Sequence, residues 1–191
     1  LAAEMVEQAI QVIGTKRQVI LLCDSWYPKA EITELIERHN NLHLICNVRS
    51  DTVLYDLPSK PTGQRGRPKK RGERLTLEQF ELSEPNHGDY KIGTRQVMTN
   101  LWKDRKVYAI VTISKKGKGQ HRLFLSTIAP KEISLTQEWC NKGELCPYAK
   151  ENIEYLPLDL YAFRWNIEVS YYEGKTFWSM ENYRIRSSRA I

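Results

Sequence analysis

The apolar residues of the first 50 positions follow two different periods. In AAEMVEQAIQVIG they recur at helical spacing, and Gly14 is a suitable C-terminal stop. In QVILLC they form a continuous run, typical of a buried strand, that ends just before Asp24. A second helix over KAEITELIERHN and a second buried strand over LHLICNV follow. Strand, helix and strand with short connections predict a parallel crossover unit.

The pattern changes after Ser50. The stretch SDTVLYDLPSKPTGQRGRPKKRGERL mixes Pro, Gly and cationic residues, which predicts a mobile loop or the tip of a long hairpin. Three strand-like runs then follow, and short polar connections between them favour an antiparallel meander over residues 88–129: YKIGTRQVMTNLW, KVYAIVTIS and HRLFLSTIA. Residues 131–157 have no clear period, and Pro157 and Asp159 then mark the start of a helix.

That helix contains YAFRWNIEVSYYEGK, residues 161–175, in which charged and aromatic residues share one side. At about 100° per residue five of them fall within one stripe, namely Tyr161, Arg164, Glu168, Tyr172 and Lys175. Phe163, Ile167 and Val169 lie off this stripe and are expected to face the core. The simplest interpretation is an exposed amphipathic helix with an ion pair four residues apart, worth only a few tenths of a kcal/mol.

Composition indicates a globular protein with an anionic partner. The 191 residues are 41% hydrophobic and carry a formal charge of +6, with the densest basic run at 65–74. Because no long apolar segment or basic amphipathic anchor is present, nucleic acid is favoured over a membrane. The chain starts at Leu1 inside a helical pattern and shows no signal segment. We therefore expect a fragment, or a truncated reading frame, of a cytoplasmic protein.

The four cysteines give little support to a metal site. Cys23 and Cys46 lie inside apolar runs and are expected to be small core residues. Cys140 and Cys146 are too far apart for a CxxC ligand pair, and no nearby His completes a zinc set. The sequence therefore favours core packing over structural zinc.

Two carboxylates are candidates for a catalytic metal site. Asp24 follows a buried strand, and reactive groups gather beyond the carboxyl ends of such strands. Glu168 lies among cationic and aromatic residues. An Mg²⁺ ion bound by both carboxylates would activate a nucleophile that attacks a phosphodiester. Arg164 and Lys175 would hold phosphates beside the ion. The alternative for Asp24 is a turn or helix-cap acid.

The spacing of four residues adds a resemblance. Tyr161, Arg164, Glu168 and Lys175 read Y-x2-R-x3-E-x6-K, which is identical in spacing to the YREK signature of one group of bacterial insertion-sequence transposases of the DDE type. LLCDSWY resembles the segment of that group with the second catalytic Asp, and FRWNIE resembles its final catalytic segment.

The resemblance implies roles for these residues. Asp24 and Glu168 would bind Mg²⁺ or Mn²⁺, Arg164 and Lys175 would grip terminal phosphates, and Tyr161 would contact the DNA backbone. The family reaction is hydrolysis of a phosphodiester to free a 3′-hydroxyl, which then attacks target DNA. The implied partner is double-stranded DNA, at transposon ends and target, and the full-length parent would be a homodimer. A membrane partner is not expected.

The resemblance also implies a fold and a division of the chain. The expected fold class is α/β, with a partial ribonuclease-H-like core and an inserted antiparallel β-rich subdomain. Residues 1–49 would form the partial core with the second catalytic Asp, 50–157 the basic loop and β-rich insertion, and 158–191 the helix with the catalytic Glu and the segment after it.

One feature departs from the family pattern. The first Asp of the family lies on the first core strand, and the 23 residues before Asp24 leave no room for it. We therefore expect a fragment of a DDE transposase that is inactive alone. Two alternatives remain, a non-catalytic DNA-binding remnant and another ribonuclease-H-like nuclease such as a junction resolvase. The latter would leave the YREK spacing unexplained.

The basic run supplies further DNA-binding candidates. RGRPKK resembles the AT-hook, whose arginines reach into an A·T-rich minor groove. A solvated cationic loop with general phosphate attraction is the favoured alternative. In both cases the candidate DNA contacts are Arg65, Arg67, Lys69 and Lys70, and Arg49 after the second strand is added to them.

Overall fold

A computed structural model describes residues 2–59, 69–84, 89–102, 105–116, 119–134 and 153–178. Its helices are α1 (Ala2–Ile13), α2 (Ala30–Arg38), α3 (Leu156–Ala162) and α4 (Trp165–Phe177). Its strands are β1 (Val19–Cys23), β2 (Leu42–Val48), β3 (Leu54–Tyr55), β4 (Arg74–Leu75), β5 (Tyr90–Thr99), β6 (Lys106–Ser114) and β7 (Arg122–Ser126). Single turns of 3₁₀-helix lie at Leu77–Gln79, Pro130–Glu132 and Ile153–Tyr155.

The N-terminal crossover unit forms as predicted. The first helix ends at Gly14, whose φ of +79° suits glycine and whose N–H donates to the Ile10 carbonyl at 2.8 Å. Strands β1 and β2 pair in parallel, with α2 between them in the chain. The run LHLICNV is β2 without a residue of difference, and five of its seven residues are apolar and buried, as expected for a strand covered on both faces.

The predicted meander extends the same sheet. The described strands form one seven-stranded sheet in the order β1-β2-β7-β6-β5-β3-β4, in which the β1–β2 pair is parallel and the other pairs are antiparallel. Strand β7 returns beside β2, where Asn47 pairs with Phe124. This mixed α/β sheet confirms the predicted fold class, a partial ribonuclease-H-like core with an inserted β-rich part.

Helices cover the two faces of the sheet. On one face, apolar residues of α1 and α2, such as Ile10 and Leu35, pack against alternate residues of the strands, such as Leu44 and Leu125. Each fully buried Leu or Ile contributes about 1.5–3 kcal/mol. On the opposite face, the α3 segment packs through two small clusters that contain Tyr155, Leu156, Leu160, Ile20, Ile110 and Phe124. This second face positions the candidate site.

The ends of several strands lie together at one end of the sheet. The pairs Cys23↔Cys46, Val48↔Leu123, Thr112↔Arg122 and Tyr90↔Ser114 place the carboxyl ends of β1, β2 and β6 beside the amino ends of β5 and β7. The residues that begin β5 and β7, and those that follow β1, β2 and β6, therefore lie at the same end of the sheet. Asp24 is one of them.

The two ends of the basic segment pair with each other at the edge of the sheet opposite β1. Strands β3 and β4 pair antiparallel, and β3 also pairs with β5. The Arg71 guanidinium lies 5.1 Å from the centre of the Tyr55 ring, and the Gly72 N–H donates to the Asp56 carbonyl at 2.9 Å. These contacts form the base of a long hairpin, whereas residues 60–68 lie outside the described residues.

Candidate functional site

Asp24 follows the last residue of β1 and is partly exposed at the end of the sheet. Its Oδ1 accepts a hydrogen bond from the backbone N–H of Trp26 at 2.9 Å, a local turn that aspartate side chains commonly form. Among the described residues, nothing donates a hydrogen bond to Oδ2. Asp24 is therefore a turn residue, as the simpler interpretation has it, and one of its oxygens is still available to a ligand.

The C-terminal helical segment is two helices, which corrects the expectation of one. Between α3 and α4, the N–H groups of Phe163, Arg164, Asn166 and Ile167 each donate to the carbonyl three residues back, at 3.0 to 3.2 Å. These 3₁₀-type bonds tighten the chain by about 0.6 residues per turn relative to an α-helix. No proline or glycine marks this junction in the sequence.

Arg164 lies at the junction and connects its two sides. Its guanidinium lies 2.8 Å from Oε1 of Glu168, one turn further along, and 5.7 Å from the centre of the Tyr161 ring, one turn before. The predicted alignment of Tyr161, Arg164 and Glu168 on one side is therefore present despite the break. Both partners of the ion pair are partly exposed, at 26% and 44% of their side chains, so the pair stabilises the fold little.

Tyr161 connects this group to the sheet and to Asp24. Its ring contacts Phe124 of β7 edge to face, with 5.1 Å between centres. Burial raises the pKa of Tyr161, Arg164 opposes this shift, and the Asp24 charge adds to it. Burial lowers the pKa of Arg164, but its bond to Glu168 and the nearby Tyr161 outweigh burial and raise that pKa overall. Tyr161 thus contacts Arg164 and Phe124 and is influenced by the charge of Asp24.

The apolar residues of α4 are not in the core, which contradicts the second expectation for this helix. Ile167 and Val169 of α4 are exposed at 59% and 40%, and Phe163, which lies at the junction before α4, is exposed at 61%. Every side chain of α4 is exposed, and the buried residue of the helix is Gly174. The contacts with the sheet on this face come instead from the α3 segment, through residues such as Tyr155, Leu156 and Leu160.

The cysteines described by the structure are core residues. Cys23 and Cys46 are buried, free and opposite each other in β1 and β2, and the hydrogen bond with Cys23, together with burial, raises the pKa of the Cys46 thiol. Cys140 and Cys146 lie outside the described residues. Within the part of the chain that the structure describes, no group of three or more His, Cys, Asp or Glu side chains is placed to hold a metal ion.

The cationic candidates are spread over the molecule. Arg49 is exposed and binds Asp51 through two hydrogen bonds of 3.0 and 2.8 Å. Lys175 is exposed in the last turn of α4. It lies seven residues after Glu168 in the chain, and an α-helix rises about 1.5 Å per residue. Lys69 and Lys70 are exposed beside the hairpin base, and the candidates Arg65 and Arg67 lie outside the described residues. Their contacts with DNA stay predictions.

A groove beside Arg164 was not expected from the sequence. A cavity of about 410 Å³ is lined by Tyr161 and Arg164 on the helix side and by four polar residues of neighbouring strands on the sheet side, Asn47, Tyr90, Thr112 and Arg122. Arg122 precedes Phe124 by two residues, so strand alternation could have placed both on one face. The strand order that brings the four together is not visible in local patterns.

The comparison with protein families adds an independent observation. A family model described as "DDE superfamily endonuclease" matches residues 1–106, which is more than half of the chain. The chain belongs to this family of DDE endonucleases. A comparison with curated proteins found no match. The matched region includes Asp24 and ends at the first residue of β6, so the assignment of Glu168 does not rest on it.

Membership of the DDE endonucleases fixes the general chemistry. DDE endonucleases act on DNA and generally use divalent metal ions, which agrees with a carboxylate at the end of β1. Among the helices in the described part of this DDE endonuclease, none has the length and apolar character needed to cross a membrane.

Proposed function

We propose that this DDE endonuclease is the C-terminal part of the catalytic domain of a transposase of the group with the YREK signature. Its parent would cleave DNA at transposon ends and join those ends to target DNA. One observation supports this most strongly, the contact of Arg164 with both Tyr161 and Glu168 beside the strand end with Asp24.

The donor atoms suit a hard divalent cation. Asp24 offers the oxygen that the Trp26 turn does not use, and Glu168 offers a partly exposed carboxylate. Carboxylate oxygens are preferred ligands of Mg²⁺ and Mn²⁺. When bound, such an ion would activate the attacking oxygen and stabilise the leaving oxygen. In this proposal Asp24 and Glu168 hold the ion and Arg164 orients the Glu168 carboxylate.

A third carboxylate is needed from elsewhere. Within the described residues none joins Asp24 and Glu168. Strand β1 lies at the edge of the described sheet, paired with β2 alone, and an edge strand can accept another strand. We place the third acid on polypeptide that pairs with β1, and we expect the present chain to be inactive without it.

The reaction has two steps with balanced bonds. In the first, a water oxygen bonds to the scissile phosphorus while the bond from phosphorus to the 3′ oxygen breaks, which leaves a 3′-hydroxyl. In the second, this hydroxyl bonds to a phosphorus of target DNA and displaces the target's own 3′ oxygen. Arg164 and Lys175 would neutralise the phosphates, and Tyr161 would contact the backbone without becoming covalently attached to DNA. Duplex transposon ends as substrate and a homodimeric parent belong to the same proposal.

A second candidate function is binding of DNA without cleavage. The observation in its favour is that the described acids form no group of three. A chain of this kind would occupy transposon ends and block the active enzyme. It differs from the first candidate in one respect, since Asp24 and Glu168 would then have no role in metal binding.

Manganese binding separates the two candidates. Electron paramagnetic resonance would measure Mn²⁺ binding to the chain and to Asp24→Asn, Glu168→Gln and, as a control, Asp51→Asn, which removes an acid bonded to Arg49. We expect weak binding that both site variants lose and the control keeps. Binding that neither site variant changes would remove the metal role and favour the second candidate. Nicking of supercoiled plasmid by the chain, abolished in Glu168→Gln, would contradict the expected inactivity.

A further inference from the structure

Three adjoining cavities form a groove along the end of the sheet that contains Asp24. The first, beside Arg164, has a volume of about 410 Å³. It shares Asn47, Tyr90, Thr112 and Arg122 with a second cavity of about 530 Å³. The second shares Ser50, Gln120 and His121 with a third cavity of about 430 Å³ that reaches Arg74. The groove therefore extends from the candidate site past β7 and β6 toward the hairpin base.

The floor of the first two cavities is a row of polar side chains from four neighbouring strands. Asn47 lies opposite Phe124 in β7, two residues from Arg122, and Arg122 lies opposite Thr112 of β6. Tyr90 begins β5, two residues before Ile92, which pairs with Thr112. Because residues two apart point to the same face, all four side chains lie on the face that Tyr161 and Arg164 cover. Their groups are a guanidinium, an amide, a hydroxyl and a phenol.

Two exposed arginines give the groove positions at which a phosphate could bind. Arg122 and Arg74 are exposed, and neither makes an ion pair with another described residue. Three acids also line the groove, namely Asp51, Glu78 and Asp159. Arg49 neutralises Asp51. Glu78 lies at the far end of the groove, where backbone and Thr76 hydrogen bonds, and then His121, lower its pKa.

We infer that this groove binds a single DNA strand next to the candidate site, with phosphates on Arg122 and a base on the Tyr90 ring. The inference rests on the proposed function and names the path of its substrate. Duplex DNA presents mainly phosphates to a surface of this kind, whereas unpaired bases can stack on rings inside a groove. The partly buried Tyr90 and the exposed Trp165 supply such rings in the cavity that Arg122 and Arg164 also line. The strand freed at a cleaved end has both features.

The test compares binding of a single strand with binding of duplex DNA. Fluorescence anisotropy would follow an oligonucleotide of about 12 nucleotides, and a duplex of equal length, over a series of salt concentrations. The variant Arg122→Gln removes the groove cation, and the control Lys106→Gln removes an equal charge from the opposite end of β6, where Lys106 pairs with Met98. We expect Arg122→Gln to lower the salt slope for the single strand by about 0.7 and the control to leave it unchanged.

The second pair of variants tests the ring. Tyr90→Leu keeps an apolar side chain in the cluster with Ile92 and Phe124 but removes the aromatic surface, whereas Tyr90→Phe keeps that surface. We expect Tyr90→Leu to weaken single-strand binding by about fivefold to a hundredfold and Tyr90→Phe to leave it within about twofold of the original chain. Thermal melting of each variant checks that it is folded.

The outcomes separate this inference from the function on which it rests. Equal effects of Arg122→Gln and Lys106→Gln, or equal effects of the two Tyr90 variants, would overturn the groove as a single-strand site. If the chain binds the duplex but not the single strand, the groove inference also fails while the proposed function stands. If the chain binds neither DNA, the proposed function fails. Preserved Mn²⁺ binding in Arg122→Gln would show that the groove and the metal site are separate.

Discussion

Arg164 donates a hydrogen bond of 2.8 Å to Oε1 of Glu168, one turn along the helical segment. The carboxylate that the signature assigns to a metal ion is therefore already bound to a cation of the same chain. An incoming metal must share Glu168 with Arg164 or displace it. Under the proposed function Arg164 would therefore have two opposing effects, since it would weaken metal binding at Glu168 and would attract the phosphates of DNA.

The first prediction follows from this competition. Arg164→Gln should raise the affinity for Mn²⁺ by up to about fivefold, because a partly exposed ion pair is worth up to about 1 kcal/mol. The same variant should lower the salt slope of duplex binding by about 0.9, the loss of one phosphate contact. Electron paramagnetic resonance and anisotropy titrations measure the two effects.

Controls for this prediction use the same helix. Glu173→Gln removes an acid from α4 whose side chain is exposed, and it should leave both quantities unchanged. Glu168→Gln should change the free energy of unfolding by no more than about 0.5 kcal/mol, so its loss of metal binding would not reflect unfolding. A lower Mn²⁺ affinity in Arg164→Gln would show that Arg164 supports the metal site.

His43 of β2 makes the stability of the fold depend on pH. Burial lowers its pKa from the ordinary value of 6.5, Arg105 lowers it further, and Glu132 partly opposes them. Below pH 6.5 the unfolded chain binds more protons at this position than the folded chain does. The free energy of unfolding should therefore fall as pH falls from 6.5 toward the lowered pKa, and His43 should have no effect above that window.

Urea titrations between pH 5 and pH 7.5 would test this prediction. His43→Gln should lose less stability on acidification than the original chain, because the group that takes up the proton on unfolding is absent. His121→Gln, in the groove at the sheet end, controls for replacement of a histidine elsewhere. If His43→Gln and the original chain lose stability in parallel, the buried imidazole is not the cause.

The strands and the crossover unit were predictable for a physical reason. In LHLICNV five of the seven residues are apolar and buried, and a short run this rich in apolar residues is typical of a strand covered on both faces. The meander was predictable because polar connections separate its three runs. Asp24 could be placed at the end of β1 for the same reason, since the apolar run stops there.

The break between α3 and α4 and the groove could not be predicted. Phe163 and Ile167 have helical spacing and apolar side chains, yet both are exposed, and 3₁₀-type bonds around Arg164 separate α3 from α4. The groove depends on β7 lying between β2 and β6, and this order is a long-range property. Local periodicity places Arg122 at the start of one strand and Asn47 near the end of another. It does not show that the two strands are neighbours.

Gly72 permits the close packing at the base of the basic segment. A Cβ at this position would lie 2.6 Å from the Leu57 carbonyl oxygen and 2.9 Å from Cβ of Asp56, so backbone atoms would have to move. Gly72→Ala should destabilise the fold by about 1–3 kcal/mol and displace the neighbouring lysines. We therefore expect weaker duplex binding as well, measured by urea titration and anisotropy.

Gly93 of β5 offers a matched control. A Cβ there would lie 2.6 Å from the Glu81 carbonyl oxygen, which is a similar clash at a position away from the basic run. Gly93→Ala should lower stability to a similar extent while the salt slope of duplex binding stays unchanged. If both variants weaken binding of the folded protein equally, the hairpin base does not position the basic run.

The last prediction separates general attraction from sequence reading in the basic run. Lys69 and Lys70 are exposed, and Arg67 beside them lies in RGRPKK, outside the described residues. A cationic loop neutralises phosphates of any sequence, so Arg67→Ala should lower the salt slope by about 0.9 on both A·T-rich and G·C-rich duplexes. An AT-hook would insert Arg67 into the narrow minor groove, where the negative potential is strongest, and the loss would then be confined to A·T-rich DNA. We expect equal losses, and parallel titrations of the two duplexes at several salt concentrations decide between these interpretations.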